Sequence, residues 1–533
     1  MPVSQQQVDA LFARWNRTDS PGCVLGVIQD GQLIYQRGYG MADLERDVPL
    51  KPESVLDIGS TGKQFAAMQI ALLAERGALS LDDPVQKYIP ELPQYDHPIT
   101  IRQLLHHTSG LRDYLVLLLL AGKSFDVMED VDALLELIGR QRHLNFVPGE
   151  EFLYSNTGYL LLGVIASRVT NTPYPDLLRA TFFAPLSMSA SDVNDDPLRI
   201  TRNRALSYSG NVEGGFRSEA IEPGGFGDGP ILTTVGDLYR WDQNFYANQL
   251  GGGQALIEQM VTSGQFNDGQ PIGYGLGLFT SDYRGLPTIH HGGAWAGYRA
   301  ELLRFPEQRF SVIVLANLGS MSPSQLAKQV ADLYLADVFP EPLPQLPTVP
   351  ADQALDLTPF AGFYQSDQTR AVIELTQHDG EAVAILSGYP LKLIQESAGR
   401  WRATNLPYRF HLEVEGTGGL RTEDEFSPRG AEIYRQRPSD PVSAADLETL
   451  CGEYYSDELD VSYHLSLQVD ALHLRIGDHA PQPLRVVNRD LLTSSAGAVF
   501  DVVRSETGAI RRLAVSAGRV RMVIVTRVEA TPS

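Results

Sequence analysis

Ser60-Thr61-Gly62-Lys63 is the one Ser-x-x-Lys in the chain. A serine hydroxyl is a weak nucleophile and needs a base beside it. Residues three apart on a helix share a face one turn apart, so an amine at Lys63 meets a hydroxyl at Ser60. The motif falls where the strand-like VLDIG gives way to KQFAAMQIALLAERGALS, read as an amphipathic helix that Gly77 stops. A helix N-terminus adds a positive dipole end, which favours an oxyanion at Ser60. Lysine serves as a base only where burial or nearby cations lower its pKa. Alone the motif is weak, because a helix-capping serine with a surface lysine has the same letters.

Tyr154-Ser155-Asn156 follows the turn-forming FVPGEEFL and precedes an apolar helical run at 159–169. A phenol above a rigid helix can act as acid or base near cations, and Asn156 can orient Lys63 or hold a substrate amide. A core tyrosine would look the same. Tyr246-Ala247-Asn248 fits the pattern too, in a polar helix-loop stretch, and is set aside. His291-Gly292-Gly293 precedes AWAGYRAELLRF, which alternates like a strand. Glycines there let a substrate backbone lie close, and His291 can bond the tyrosine or a substrate carboxylate. His290-His291-Gly292 leaves the register open, a turn histidine would look alike, and His378-Asp379-Gly380 reads as a hairpin turn.

The elements that must position these residues lie in 1–339. Runs at 24–29 and 32–38 flank Asp30-Gly31, a strong hairpin signal. Phe310–Ala316 reads as a buried strand and 324–336 as a helix. Strands at both ends and helices between predict an α/β sandwich on a mostly antiparallel sheet. Five prolines in PEPLPQLPTVP predict a stiff linker at 340–356. LTPFAGFYQSD at 357–367 then recurs as LETLCGEYYSD at 447–457, each copy followed by alternating segments. Two copies of one small antiparallel β-barrel follow, at 357–438 and 439–533, parted by Arg437-Pro438-Ser439-Asp440-Pro441.

At 533 residues the chain exceeds one core, and its 43% hydrophobic and 20% charged residues suit a multidomain globular protein. A net charge of -22 disfavours nucleic acid and anionic membrane as partners and is otherwise a solvated surface. LVLLLLAG at 115–122 is too short to span a bilayer, and no signal peptide is visible, so a cytoplasmic protein is expected. Cys23 and Cys451 fall in different domains and read as buried, unbridged thiols in strand-like contexts. The histidines lack HExxH-type spacing, so no metal and no other cofactor is expected.

In order, the three motifs resemble the signature of the class C β-lactamase and DD-peptidase superfamily, as do LLHHTSGLRDY at 104–114, PGEEFLYSNTGYLLLG at 148–163 and GDGPILTTVGDL at 227–238. The resemblance implies a penicillin-recognising domain, with Ser60, Lys63 and Tyr154 catalytic and the backbone N–H groups of Ser60 and Ala294 as oxyanion donors. Asn156, His291 and Gly293 would orient substrate. The tandem barrels, SDELD at 456–460 and the third-motif histidine are similar to bacterial D-aminopeptidases. In those a barrel loop brings an Asp to the substrate amine. The matching 477–483 stretch here looks shorter, so Asp478 either takes that role or sits in a polar hairpin turn. If the loop falls short, broader esterase-like activity is implied. The expected function is acyl-enzyme hydrolysis of a small molecule or short peptide, D-aminopeptidase-like. The alternatives are a β-lactamase-related esterase, a DD-carboxypeptidase, or a sensor that acylates and stalls. Oligomeric state stays open, a homodimer included.

Overall fold

A computed structural model describes residues 3–529 apart from 124–129, 197, 212, 220–226, 228, 230, 343–356, 379–380, 398, 407–408, 417, 425–429 and 470. Most of the proline linker therefore lies outside the described residues, as do Asp379 and Gly380 of the set-aside turn. The hairpin forms as its letters require. β1 (Cys23–Gln29) and β2 (Gln32–Tyr39) join through Asp30 and Gly31, at φ 50° and 77°, the two left-handed residues of a tight turn. β3 (Phe279–Tyr283), β4 (Leu286–Trp295), β5 (Tyr298–Phe305) and β6 (Phe310–Ala316) complete a six-stranded sheet in the order β3-β4-β5-β6-β1-β2. Every neighbouring pair is antiparallel; β6 meets β1 with Cys23 opposite Ala316 and Gln29 opposite Phe310.

Helices that matter below are α1 (Gln5–Phe12), α2 (Lys63–Glu75), α3 (Tyr114–Leu120), α4 (Asn156–Thr170) and α5 (Pro323–Tyr334). Central strands bury both faces, which is why FSVIVLA has no polar alternation. Leu25, Val27, Val312 and Val314 pack with Val8, Phe12, Leu326 and Val330 of α1 and α5. Val24, Ile28, Ile313 and Leu315 face the other way, into the core that holds Phe65 and Met68 of α2. The expectation of an amphipathic α2 is corrected: residues 63–73 are all buried. Some of its polar atoms find partners inside, as where Gln64 Oε1 accepts from Trp241 Nε1 at 3.0 Å. Gly77, at φ 71°, stops the helix as read, its N–H donating to Ala74. The apolar run at 115–122 is α3 and its end; among the described residues no helix is long and apolar enough to cross a membrane.

The repeat is two closed barrels of eight antiparallel strands, running from Gly362–Ser366 to Glu432–Arg437 and from Gly452–Ser456 to Val520–Arg527. They agree in detail. Tyr364 Oη donates to the Phe360 carbonyl at 2.7 Å, and Tyr454 Oη to the Leu450 carbonyl at 2.8 Å. Gly362 and Gly452 sit at φ 144° and 145°, a backbone that favours glycine. Cys23 and Cys451 are both free thiols. Cys23 opens β1, where burial pushes its thiol pKa up. Cys451 is half-buried at the end of the helix Ala444–Leu450, not in a strand.

Candidate active site

The segment before α2 is a two-residue strand, Leu56–Asp57, and then a 3-10 turn, Gly59–Gly62. Ser60 is therefore on a tight turn and Lys63 is the first residue of the α-helix proper. Gly59 carries φ 48°, and its N–H donates to Asp57 Oδ1 at 2.7 Å. Burial raises the Asp57 carboxyl to about 6. β4 presses on this turn. A Cβ on Gly293 would lie 1.8 Å from the Ile58 carbonyl oxygen, and one on Gly59 would lie 2.8 Å from the Ala294 nitrogen. The glycine of the third motif thus admits the protein's own nucleophile turn, not only a substrate backbone. Thr61 Oγ1 donates to the His291 carbonyl at 3.1 Å and pins the two segments together.

Lys63 is fully buried. Its Nζ donates to Ser60 Oγ at 3.1 Å and to Asn156 Oδ1 at 2.9 Å. It lies 5.1 Å from the centre of the Tyr154 ring and 5.6 Å from that of Tyr159. Asn156 is fixed from behind by Asp113, whose Oδ2 accepts from its backbone N at 2.7 Å and its Nδ2 at 3.0 Å. The other oxygen of Asp113 caps α3 through Leu115 and Val116. One buried carboxylate thus aims both a helix and the amide that aims the lysine.

Tyr154 is held by His107, whose ring lies 4.2 Å away. His107 Nδ1 accepts from the Ser155 N–H at 3.1 Å, so Nδ1 carries no proton. Burial, with Lys63, His291 and Arg519 nearby, holds this imidazole far below its usual pKa. His291 is neutral too. Its Nδ1 faces the Gly292 carbonyl at 2.6 Å and must donate; its Nε2 accepts from Tyr274 Oη at 3.1 Å. Burial takes its pKa down to about 3. The tyrosine it bonds is Tyr274, not Tyr154, and without charge it offers no ion pair to a substrate carboxylate.

Ser60, Tyr154, Asn156, His291, Gly293 and Ala294 line one cavity of about 970 Å³. Asp478 does not reach it. Asp478 is exposed on a hairpin turn whose neighbours Ile476 and His479 pack on Gly122, just past α3. The second barrel instead enters the site through another hairpin, between Ile510–Ala517 and Val520–Arg527, whose tip residue Arg519 lines the cavity. The first barrel adds Thr404, Asn405 and Leu406 at the rim. Asp113 and His107 were legible only as letters within LLHHTSGLRDY, and nothing marked Arg519 or Tyr274.

The chain is similar to known proteins. The chain is 28% identical over 410 residues to penicillin-binding protein 4* of Bacillus subtilis (strain 168), across 73% of this chain and 90% of that protein. It is 27% identical over 464 residues to a D-aminopeptidase of Gluconobacter oxydans (strain 621H), across 85% of this chain and 82% of that one. The octameric penicillin-binding protein homologue from Pyrococcus abyssi has the same fold, with a TM-score of 0.57 at 24% identity, over 80% of this chain and 99% of that chain. Residues 8–336 match the beta-lactamase family, and the chain belongs to that family.

Proposed function

We propose that this chain is a serine hydrolase that works through an acyl-enzyme on amide bonds of small D-residue-containing substrates, as its D-aminopeptidase relative's name suggests. The observation that carries this reading is the 3.1 Å contact of Lys63 Nζ with Ser60 Oγ on a buried turn. Ser60 Oγ attacks the carbonyl carbon, and its proton passes to a deprotonated Lys63 or to Tyr154. The N–H groups of Ser60 and Ala294 hold the oxyanion; one such donor is worth about 3–4 kcal/mol of barrier. The carbon–nitrogen bond breaks as Tyr154 protonates the leaving amine. Water, activated by the same cluster, then cleaves the Ser60 ester and releases the acid.

One observation favours a second reading, a carboxypeptidase on the same scaffold. The hairpin that reaches the cavity brings an arginine, and Asp478, the acid suited to an amine, is elsewhere. The test is release from D- and L-alanine amides, simple esters, N-acylated D-dipeptides and a chromogenic cephalosporin, with Ser60→Ala as blank. D-substrates should turn over at least tenfold faster than L-substrates. Ser60→Ala, Lys63→Ala and Tyr154→Phe should each lose about 100-fold or more. One acylation per molecule without turnover would make the chain a sensor instead. Label from a covalent serine inhibitor anywhere but Ser60 would end the reading.

A further inference from the structure

Arg519 stands at the tip of a hairpin of the second barrel, yet its side chain lines the catalytic cavity. Its guanidinium lies 4.8 Å from the centre of the Tyr154 ring. The closest carboxylate is Asp113, at 3.6 Å, outside hydrogen-bond range. Asp113 is already engaged: one oxygen takes two N–H groups of α3, the other two from Asn156. Docking of the hairpin does not need this side chain either. The Arg519 carbonyl accepts from Asn145 Nδ2 at 2.9 Å, and the Arg521 N–H donates to Asn145 Oδ1 at 2.8 Å. The Arg519 side chain keeps 42% of its surface exposed. Among the described residues no side chain accepts a hydrogen bond from it.

The charges around Ser60 point the same way. Arg519 is a guanidinium in the cavity lining beside Tyr154, and its nearest carboxylate, Asp113, is taken up by Asn156 and α3. His291 in the cavity lining and His107 against the Tyr154 ring are neutral, and the carboxylate of Glu301, also in the lining, is bound to His290 at 3.2 Å. A substrate ammonium beside Tyr154 would meet the Arg519 guanidinium. A carboxylate there would meet a planar five-donor fork. The surface as a whole, at -22, repels anions, so attraction must come from a local cation.

We propose that Arg519 is a specificity-determining residue that binds a carboxylate of the substrate, so that the second barrel selects anionic substrates for the serine of the first domain. The inference rests on the hydrolase reading above and specifies its substrate class. The carboxylate has two sources: the acyl part, or the residue that leaves.

Two substrate pairs separate them. N-succinyl against N-acetyl D-alanine p-nitroanilide places the charge on the acyl side. N-acetyl-D-alanyl-D-alanine against its C-terminal amide places it on the leaving side. In the full-length protein the anionic member of one pair should show at least tenfold higher kcat/KM, carried by KM. Arg519→Gln should bring that ratio near one, and Arg519→Lys should keep part of it. An unchanged thermal midpoint of both variants certifies the fold. A ratio that Arg519→Gln leaves intact, or the absence of any anionic preference in the unaltered protein, overturns the proposal. If neither pair turns over although an inhibitor labels Ser60, the hydrolase reading fails and the inference falls with it.

Discussion

The two barrels are copies of one unit that have been given different neighbours by the same turn. In each, the strand that begins the barrel ends in Ser and is followed by Asp, and the next three residues differ: Gln368-Thr369-Arg370 in the first, Glu458-Leu459-Asp460 in the second. Glu458 Oε2 accepts from Arg112 Nη1 at 3.0 Å, with side chains 8% and 1% exposed. Arg112 also donates to the carbonyls of Arg521 and Met522. Arg370 turns instead to Asp501 of the second barrel, at 2.6 Å and partly exposed. The cores follow the charges. Tyr454, Tyr463 and Phe500 belong to the same buried cluster as the helices of the catalytic domain, whereas Ile373, Trp401 and Leu412 form a cluster of their own. An equal fold thus shares its core with the catalytic domain in one copy and touches only the rim of the cavity in the other, and the turn after the first strand differs with it.

The largest expected effect breaks this contrast at Glu458. Glu458→Gln leaves Arg112 charged and buried, which costs about 3 kcal/mol or more. It should lower the first unfolding transition in urea. Activity should fall at least tenfold as well, because Arg112 adjoins Asp113, which holds Asn156 against Lys63. The same operation on the first barrel, Arg370→Gln, removes a bidentate pair that keeps some solvent contact, worth about 1 kcal/mol. There kcat/KM should stay within twofold. Equal losses of activity in the two variants would show that the barrels are not unequal partners.

How far the sequence announces this depends on range. Ser60 and Lys63 are three residues apart, so helical geometry alone brings them together, and the Asp30-Gly31 turn and the repeat are equally local. Their settings are not. α2 is apolar enough to suggest one buried face, and it is buried on all sides because it packs between the sheet and further helices, α4 among them. His106 and His107 read as adjacent letters, but at φ 56° His107 turns its ring to Tyr154, while His106 faces the Tyr274 carbonyl. The barrel hairpin that reaches the serine is chosen by docking, and docking rests on residues far apart in the chain, Arg112 with Glu458 and Asn145 with Arg519 and Arg521, all ordinary polar or charged letters. Hence Asp478 was the wrong hairpin: with Gly122 lacking a side chain, Ile476 and His479 settle on α3's end and carry that turn away from the cavity.

The smallest effect sharpens what the copies share. Tyr364 and Tyr454 each donate to the carbonyl four residues back, at 2.7 and 2.8 Å, and their rings are 2% and 0% exposed. Each bond ties the lead-in segment to the first strand of its barrel. Removing the hydroxyl leaves one carbonyl unmet near the end of that segment, a loss of about 1 kcal/mol. Tyr364→Phe and Tyr454→Phe should therefore shift thermal stability by similar amounts, because the bond lies inside the unit and not at its contacts. If Tyr454→Phe instead costs several times more and also lowers activity, the bond in the second copy is coupled to the docked face. The barrel would then transmit strain from its own lead-in to the Arg112 interface, and the division between a shared interior and a divergent turn would not hold.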